Sequence, residues 1–313
     1  KEIFGELIEP NTTYMKREFY YSVSAAEDGC SVKHFLQKRG YSAAILTHLK
    51  KTHSGILRGH DWLHINDALF LGDCVHITID EPLSSPNILP IYVPFQIVYE
   101  DEDLLVIDKP ADTPIHPSIN NHEHTLANGV MYYFHSQNTP FVFRCINRLD
   151  RDTTGLTIIA KNMLSASLLS AAMKRREIHR EYLAVVSGIA PDFGKITAPI
   201  ARVSTSTIER CVDEQLGESA VTYFYVKKKE SVLPNSFICL LSLSLGTGRT
   251  HQIRVHMNSI GHPLLGDFIY NPSDSLLNRQ ALHSCHLDFL HPITGKHLTF
   301  DSPLPDDMAA LFM

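Results

Sequence analysis

The chain has 313 residues, of which 44% are hydrophobic and 20% charged, as is typical of a globular protein with a sizeable core. Its formal net charge of −6 argues against a general polyanion binder, so any nucleic-acid site should be a local basic patch. No stretch approaches the roughly 18 consecutive apolar residues of a membrane-spanning helix, which excludes a membrane protein of that class.

Six cysteines are scattered along the chain without any CxxC pair. This spacing favours neither a disulfide framework nor a zinc site. Because no secretory signal is recognised either, we expect a protein of the reducing cytoplasm.

The sequence pattern up to residue 80 predicts a small module of two helices and a sheet. Apolar residues at helical spacing indicate a first helix ended by Gly40 and a second helix capped by Ser42. Residues 63–80 resemble a hairpin with its turn at Asn66 and Asp67. The end of that segment alternates like a half-buried strand, with apolar residues at Val75, Ile77 and Ile79.

A Pro/Ser-rich connector, "EPLSSPNILP" at 81–90, is the best boundary in the chain. Helices are predicted beyond it over 162–177, capped by Asn162, and over 249–261, with Thr250 as a possible cap. Strands are predicted over 104–110, 155–161, 181–188, 220–230 and 236–248. Because strands outnumber irregularly placed helices, we expect an α+β fold with a largely antiparallel sheet.

The segment "CINRLDRDTTGL" at 145–156 crowds charges directly before a buried strand. Asp150 and Asp152 could act as a paired acid and base. If the loop is extended, their side chains project to the same side, and Arg148 joins them there. Ion pairs in a surface loop are the alternative. A carboxylate fixed at the edge of a core beside a guanidinium should stay ionised, which is what a nucleophile needs.

The segment "GTGRTHQIRVHMNSIGHPLLGD" at 246–267 predicts a basic helix start. His251 and Arg254 share a helix face, and with Arg249 they could hold a phosphate. A metal site of His251, His256 and His262 is disfavoured, because residues 251 and 256 lie on different helix faces.

The segment "MKRREIHREYLAVVSG" at 173–188 places positive charge beside an aromatic residue. Lys174, Arg175, Arg176 and Arg180 precede Tyr182, which is a pattern suited to RNA contacts. A solvated helix end followed by a core tyrosine explains this segment equally well.

Together, these segments resemble the RluA-type RNA pseudouridine synthases in order and spacing over about 90–300. "YEDEDLLVIDKPADTPIHPS" with "HTLANGV", then "NRLDRDTTGLTIIAKN", "REYLAVVSG" and "LGTGRTHQIRVHMNSIGHPLLGD" carry the resemblance. Residues 20–82 resemble the small alpha-L RNA-binding domain of a ribosomal small-subunit protein. The resemblance implies an RNA-binding module over 20–82, a linker over 83–92 and a pseudouridine synthase catalytic domain over 93–313.

Carried over residue by residue, the resemblance implies a catalytic aspartate at Asp150, an active-site tyrosine at Tyr182 and a basic partner of the aspartate at Arg254. It also implies that Leu245 or its neighbours line the pocket floor. We expect RNA contacts from Arg148, Arg151, Thr154, Arg249, His251, Lys174, Arg175, Arg176, Lys50 and Lys51. Arg151 is expected to help displace the target base.

Two residues depart from the family pattern: Asn147 replaces the usual His before "RLD", and Thr154 replaces the usual Ser. Both keep a short polar side chain, so we expect activity to be retained. The resemblance implies no metal or organic cofactor and RNA as the partner (ribosomal or transfer RNA), and we expect a monomer. The alternatives are a non-catalytic RNA-binding protein on a synthase fold and a glycosidase-like hydrolase using Asp150 and Asp152.

Overall fold

The computed structural model describes residues 15–118, 121–233 and 236–313, which form an α+β fold, as predicted. A four-stranded antiparallel sheet comes first, with strand order β1-β4-β2-β3. The strands of this sheet are β1 (Met15–Ser22), β2 (Ile56–Arg58), β3 (Asp61–Trp62) and β4 (Cys74–Glu81). Two helices, α1 (Val32–Lys38) and α2 (Ala43–Lys51), lie between β1 and β2 in the chain. We call this part of the chain the N-terminal module.

Both helices predicted in the N-terminal module are confirmed. Ser31 Oγ accepts a hydrogen bond from the His34 N–H at 3.3 Å, and Ser42 Oγ accepts from the Ile45 N–H at 3.4 Å. These bonds satisfy N–H groups that have no partner within the first turn of a helix. Gly40 follows α1 with a φ of +85°, a conformation that glycine adopts without a Cβ penalty.

The hairpin predicted around Asn66 and Asp67 is wrong. That segment makes only a turn, in which the His64 N–H donates to Asp67 Oδ2 at 2.7 Å. The hairpin of this region is instead β2–β3, which is closed through Gly59 at a φ of +62°. The strand containing Val75, Ile77 and Ile79 is confirmed as β4, but it pairs with β1 and β2.

Residues 82–95 contain no helix or strand and lead into a nine-stranded sheet. Its strand order is β5-β6-β7-β14-β8-β13-β12-β9, with β15 also paired to β14. Among its described strand pairs only β7–β14 is parallel, so the predicted largely antiparallel sheet is confirmed. Its strands are β5 (Gln96–Glu100), β6 (Leu104–Lys109), β7 (Thr154–Ala160), β8 (His179–Ser187), β9 (Phe193–Thr197), β12 (Val221–Leu233), β13 (Ser236–Leu245), β14 (Leu282–Leu290) and β15 (His297–Asp301). Strands β10 (Ile200–Arg202) and β11 (Arg210–Val212) form a separate two-stranded antiparallel sheet. The helices of this part of the chain are α3 (Leu126–His135), α4 (Met163–Arg175), α5 (Gln252–Ser259) and α6 (Asp306–Ala309).

Strands β6 and β7 lie between two helices. Leu105 and Ile107 share a buried cluster with residues of α3, whereas Leu104 and Val106 share another with Leu169 of α4. This alternation follows from the two-residue period of a strand, and it buries both faces of the sheet. None of the described helices is both long and apolar enough to cross a bilayer.

Helix α4 joins the N-terminal module to the large sheet. Leu164 lies in the core of the N-terminal module, with Leu168 packed against it. The Ser167 hydroxyl donates to the Gly40 carbonyl at 2.9 Å. A side chain at Gly40 would clash here, because its Cβ would lie 2.3 Å from Leu168. The first half of α4 therefore belongs to the hydrophobic core of the module.

Candidate active site

The loop before β7 turns sharply at Asp150. The Thr153 N–H donates to the Asp150 carbonyl at 3.2 Å, so the loop is a turn and not an extended strand. The expectation that Asp150 and Asp152 project together is therefore wrong. Asp152 is buried and paired with Arg151 Nη2 at 2.9 Å, outside the lining of the cleft described below.

Two buried cations hold the backbone of this loop. Lys109 Nζ donates to the Arg151 carbonyl at 2.8 Å and to the Thr113 carbonyl at 2.9 Å. Arg279 Nη1 donates to the Asp152 carbonyl at 3.3 Å. Burial lowers the pKa of Lys109 to about 7, and the nearby Asp152 and Asp150 act in the opposite direction.

The two departures from the family pattern have structural roles here. Asn147 is buried, where its amide donates to the Leu156 carbonyl at 3.1 Å and its Oδ1 accepts from the Ile158 N–H at 2.8 Å. It thereby fastens the charged loop to β7. The Thr154 hydroxyl lies 2.9 Å from His283 Nδ1, behind the loop and outside the cleft lining.

Arg254 connects Asp150 to a second, fully buried carboxylate. Its Nη1 donates to Asp150 Oδ2 at 2.9 Å. Its Nε and Nη2 donate to the two oxygens of Asp267 at 2.7 and 2.8 Å. Asp267 Oδ1 also accepts the backbone N–H groups of Ile269 and Tyr270 at 3.0 and 3.1 Å. Since a two-point pair fixes the plane of the guanidinium, Asp267 orients the group that Arg254 offers to Asp150.

The predicted cap of α5 at Thr250 is wrong. The N-cap position is His251, with a φ of +56° and no hydrogen bond from its side chain to the helix. Gln252 anchors this helix start instead: its Oε1 accepts from the Arg249 N–H at 3.0 Å, and its Nε2 donates to the Val221 carbonyl at 2.9 Å. A glutamine that bridges α5 to β12 replaces the hydroxyl cap that the sequence pattern favoured.

The left-handed conformation of His251 directs its ring toward Asp150. Nε2 lies 3.8 Å from Asp150 Oδ2, and Nδ1 lies 2.9 Å from the Tyr270 hydroxyl. That hydroxyl accepts the Arg210 N–H at 2.9 Å, which leaves its own hydrogen available for Nδ1. Burial lowers the pKa of His251, so the ring favours its neutral form.

Tyr182 is a buried ring in β8 and lines the same cleft as Asp150. Burial raises the pKa of Tyr182, with Arg180 acting in the opposite direction, so its hydroxyl keeps its proton near neutral pH. Arg180, two residues earlier, also lines the cleft, and its buried Nε has no hydrogen-bond partner among the described residues.

A cleft of about 1110 Å³ gathers most of the residues predicted for the site. It is lined by Asp150, Tyr182, Arg254, Arg148, Arg249, His251, Lys174, Arg176 and Leu245. Arg151, Thr154, Arg175, Lys50 and Lys51, which were also predicted, lie outside this lining. A depression of about 510 Å³ shares Arg148 and Arg249 with the cleft and adds Arg202 and Arg210, which the sequence analysis did not identify.

Among the residues that the structure describes, one group of side chains has a spacing that could hold a metal ion. The ligand atoms of Asp101, Asp103 and His291 lie within 4.8 Å of one another. Each already has protein partners: His291 Nε2 lies 2.9 Å from Asp101 Oδ2, and Arg17 pairs with Asp103 at 2.8 Å. The group therefore fits a hydrogen-bonded junction between β1 and the large sheet better than a metal centre.

Comparisons with known proteins identify the family. Residues 103–259 match the profile of a protein family described as RNA pseudouridylate synthase. The uncharacterized RNA pseudouridine synthase YjbO of Bacillus subtilis (strain 168) is 39% identical over 285 residues, covering 90% of this chain and 98% of that protein. The ribosomal large subunit pseudouridine synthase D of Zymomonas mobilis is 39% identical over 255 residues, covering 77% of this chain and 78% of that protein.

A solved structure supports the same assignment. Human RNA Pseudouridylate Synthase Domain Containing 1 superimposes with a TM-score of 0.57 at 26% identity, over 70% of this chain and 87% of that one. The resemblance predicted from the motifs is thus confirmed. The chain belongs to the RNA pseudouridylate synthase family and is an isomerase that converts uridine in RNA to pseudouridine.

Proposed function

We propose that the enzyme isomerises specific uridines of large-subunit ribosomal RNA and that Asp150 is its catalytic carboxylate. The relatives named ribosomal large subunit pseudouridine synthase D support this choice of RNA. The chemistry rests on one observation: Asp150, partly exposed at the cleft, is held by a buried Arg254 that Asp267 itself fixes.

The isomerisation balances without any other reactant. The bond from the ribose anomeric carbon to uracil N1 breaks, the bond to C5 forms, C5 loses a proton and N1 gains one. Asp150 either attacks the anomeric carbon or removes a ribose proton to give a glycal. Both routes need a charged carboxylate that is fixed and has a free lone pair, and the single 2.9 Å bond from Arg254 leaves lone pairs free.

Tyr182 supplies an apolar wall for the uracil ring in this proposal. Its ring is buried and lines the cleft, and burial keeps its hydroxyl protonated by raising its pKa. We propose that it stacks on the base and that its hydroxyl relays the C5 proton to solvent, accepting that proton as it gives up its own.

The arginines at the cleft mouth provide the contacts to RNA in this proposal. Arg148 is exposed and joins the cleft to the neighbouring depression, where Arg202 and Arg210 add positive charge while Arg249 is paired with Glu218. A stacked uridine has to leave its helix at a cost of a few kcal/mol before it can enter such a cleft. In this proposal Arg151 helps to displace the target base. Binding should weaken with salt, because it depends on these few cations.

The two alternatives fit the geometry less well. A hydrolase with paired carboxylates needs Asp152 beside Asp150, but Asp152 is buried against Arg151 outside the cleft. A non-catalytic RNA-binding protein would not need the ordered group of Asp150, Arg254 and Asp267. The cytoplasmic location, the monomeric state, transfer RNA as a further substrate and the division into 20–82, 83–92 and 93–313 stay predictions.

The test is Asp150→Asn, with Asp152→Asn as a matched variant on the same loop. Tritium release from C5-labelled uridine in large-subunit ribosomal RNA should be abolished by Asp150→Asn and should persist in Asp152→Asn. Tritium release by Asp150→Asn at the wild-type rate would show that Asp150 is not the catalytic carboxylate. Chemical mapping of pseudouridine in RNA from cells with and without the gene tests the ribosomal target separately.

A further inference from the structure

A row of side chains crosses all four strands on the outer face of the N-terminal sheet. In the strand register Tyr20 of β1 is opposite His76 of β4, His76 is opposite Leu57 of β2, and Leu57 is opposite Trp62 of β3. Residues that are directly opposite each other in a sheet project from the same face. We call these four residues the aromatic row, since all but Leu57 carry an aromatic ring.

The aromatic row is open to solvent at both ends. Tyr20 is 63% exposed and Trp62 is 47% exposed. The rings of Tyr20 and His76 stack at 4.4 Å with an angle of 4°, and His53 lies 5.6 Å from the Trp62 ring. None of these residues lines the catalytic cleft. Two large rings exposed on one face, joined by the partly buried His76 and Leu57, form a continuous surface suited to binding.

The charges around the row are arranged asymmetrically. Lys50 and Lys51 are exposed at the end of α2, directly before the segment that carries His53. At the other end, Lys16 is paired with Glu18 at 2.6 Å and lies opposite Asp80 in the register. Lys50 and Lys51 are therefore close along the chain to the ring that contacts Trp62, whose strand also carries the acidic Asp61.

We propose that the aromatic row stacks unpaired bases of the RNA substrate, apart from the cleft that acts on the uridine. The proposal relies on RNA being the substrate of this enzyme. Every base has a flat face, so the exposed rings of Tyr20 and Trp62 can stack on single-stranded RNA with little regard to sequence. One face of the Tyr20 ring is already covered by His76, so a base would extend that stack from its other face. With strands about 4.8 Å apart, the row spans roughly 14 Å, which suits a short segment of single-stranded RNA.

The chain contains one tryptophan, so Trp62 reports directly on this surface. The full-length protein is titrated with a short single-stranded oligouridylate while tryptophan emission is recorded. Binding is measured in parallel by the anisotropy of a labelled copy of the same RNA. Trp62 emission should fall along the same curve as the anisotropy rises.

Substitutions separate stacking from general affinity. Tyr20→Ala and Trp62→Ala should each raise Kd by about 5- to 150-fold, the factor that corresponds to the loss of one stacked base. Trp62→Phe should stay close to the wild type, because it keeps a ring. Phe193→Ala is the control, since Phe193 is 79% exposed on β9, far along the chain from the row and outside the cleft lining. Its Kd should not change.

Two results would overturn the proposal: constant Trp62 emission while the RNA saturates the protein, or unchanged Kd in both alanine variants. Emission that depends on protein concentration without RNA would also overturn it, by assigning the face to contacts between copies. Pseudouridine formation by the wild type is assayed alongside. If that activity is present while the row variants bind normally, only this inference fails.

Discussion

Arg254 and Asp267 form a two-point ion pair in which both side chains are buried, with N–O distances of 2.7 and 2.8 Å. The third donor of the same guanidinium reaches Asp150 at 2.9 Å. The position of Asp150 thus depends on a carboxylate that does not line the cleft.

Asp267→Asn should therefore impair both activity and stability. Loss of one acceptor and of the charge lets the guanidinium shift, and a displacement of about 1 Å at a reacting group can lower kcat about a hundred-fold. A broken buried pair costs about 3–5 kcal/mol of the free energy of unfolding. Single-turnover rates and chemical denaturation measure the two effects.

The control is Glu177→Gln, which breaks the exposed two-point pair with Arg175. An exposed pair is worth at most about 1 kcal/mol, so rate and stability should stay near the wild type. A wild-type rate in Asp267→Asn would show that Arg254 does not need its second partner.

Tyr182→Phe should keep the ring in the cleft and remove the hydroxyl. We expect a decrease in kcat of about a hundred-fold, in the range of acid–base catalysis by one side chain, with little change in KM. Steady-state kinetics on the ribosomal RNA substrate gives both quantities. An unchanged kcat would limit the tyrosine to packing and stacking.

Gly155→Ala should disturb the catalytic loop through its junction with β14. Gly155 has a φ of +104°, and an added Cβ would lie 2.2 Å from the Ser284 carbonyl oxygen and 2.7 Å from its nitrogen. Backbone strain of this kind costs about 1–3 kcal/mol even before the clash is counted. We expect a lower Tm and a loss of activity, measured by calorimetry and tritium release.

Gly295→Ala is the matched variant for that experiment. Gly295 also has a positive φ, +67°, but an added Cβ would meet nothing within 4 Å. Its Tm should fall less and its activity should be retained. Equal effects of both variants would attribute the damage to backbone strain alone.

Lys109 should make stability depend on pH. Its pKa in the folded protein is about 7 against an ordinary value of 10.5, so the unfolded chain binds the extra proton between these values. The free energy of unfolding contributed by this residue therefore rises as the pH increases from about 7 to 10.5.

The check is urea denaturation of the wild type and of Lys109→Met across that pH range. The variant loses the hydrogen bonds to the loop carbonyls at every pH, so it should be less stable by an offset. Its curve should lack the rise from pH 7 that Lys109 gives the wild type. Parallel curves would show that Lys109 stays charged despite its burial.

The sequence predicted the helices that begin at common capping residues. Helices α1, α2 and α4 follow Ser31, Ser42 and Asn162, each of which accepts a hydrogen bond from the first turn. Helix α3 was not predicted, because its cap pairs Thr125 with Asn128 where a Glu or Gln is the usual signal.

The central strand β14 was missed for a different reason. It places His283 and Ser284 in the core, where Thr154 and the Leu156 carbonyl satisfy them. Such pairing is made across the sheet and leaves no periodic apolar pattern along the chain. Asp267 was missed in the same way, because a single carboxylate gains its role only when Arg254 folds against it.

Helix α4 has a consequence for how this enzyme can be re-engineered. Leu164 and Leu168 near its start pack into the core that also holds α1 and α2, while Met173 and Lys174 near its end line the catalytic cleft. With thirteen residues at a rise of about 1.5 Å each, this helix is roughly 20 Å long and connects the core of the N-terminal module to the catalytic cleft. An exchange of N-terminal modules between relatives must therefore also transfer the first half of α4. Without it, the exchanged module lacks part of its hydrophobic core.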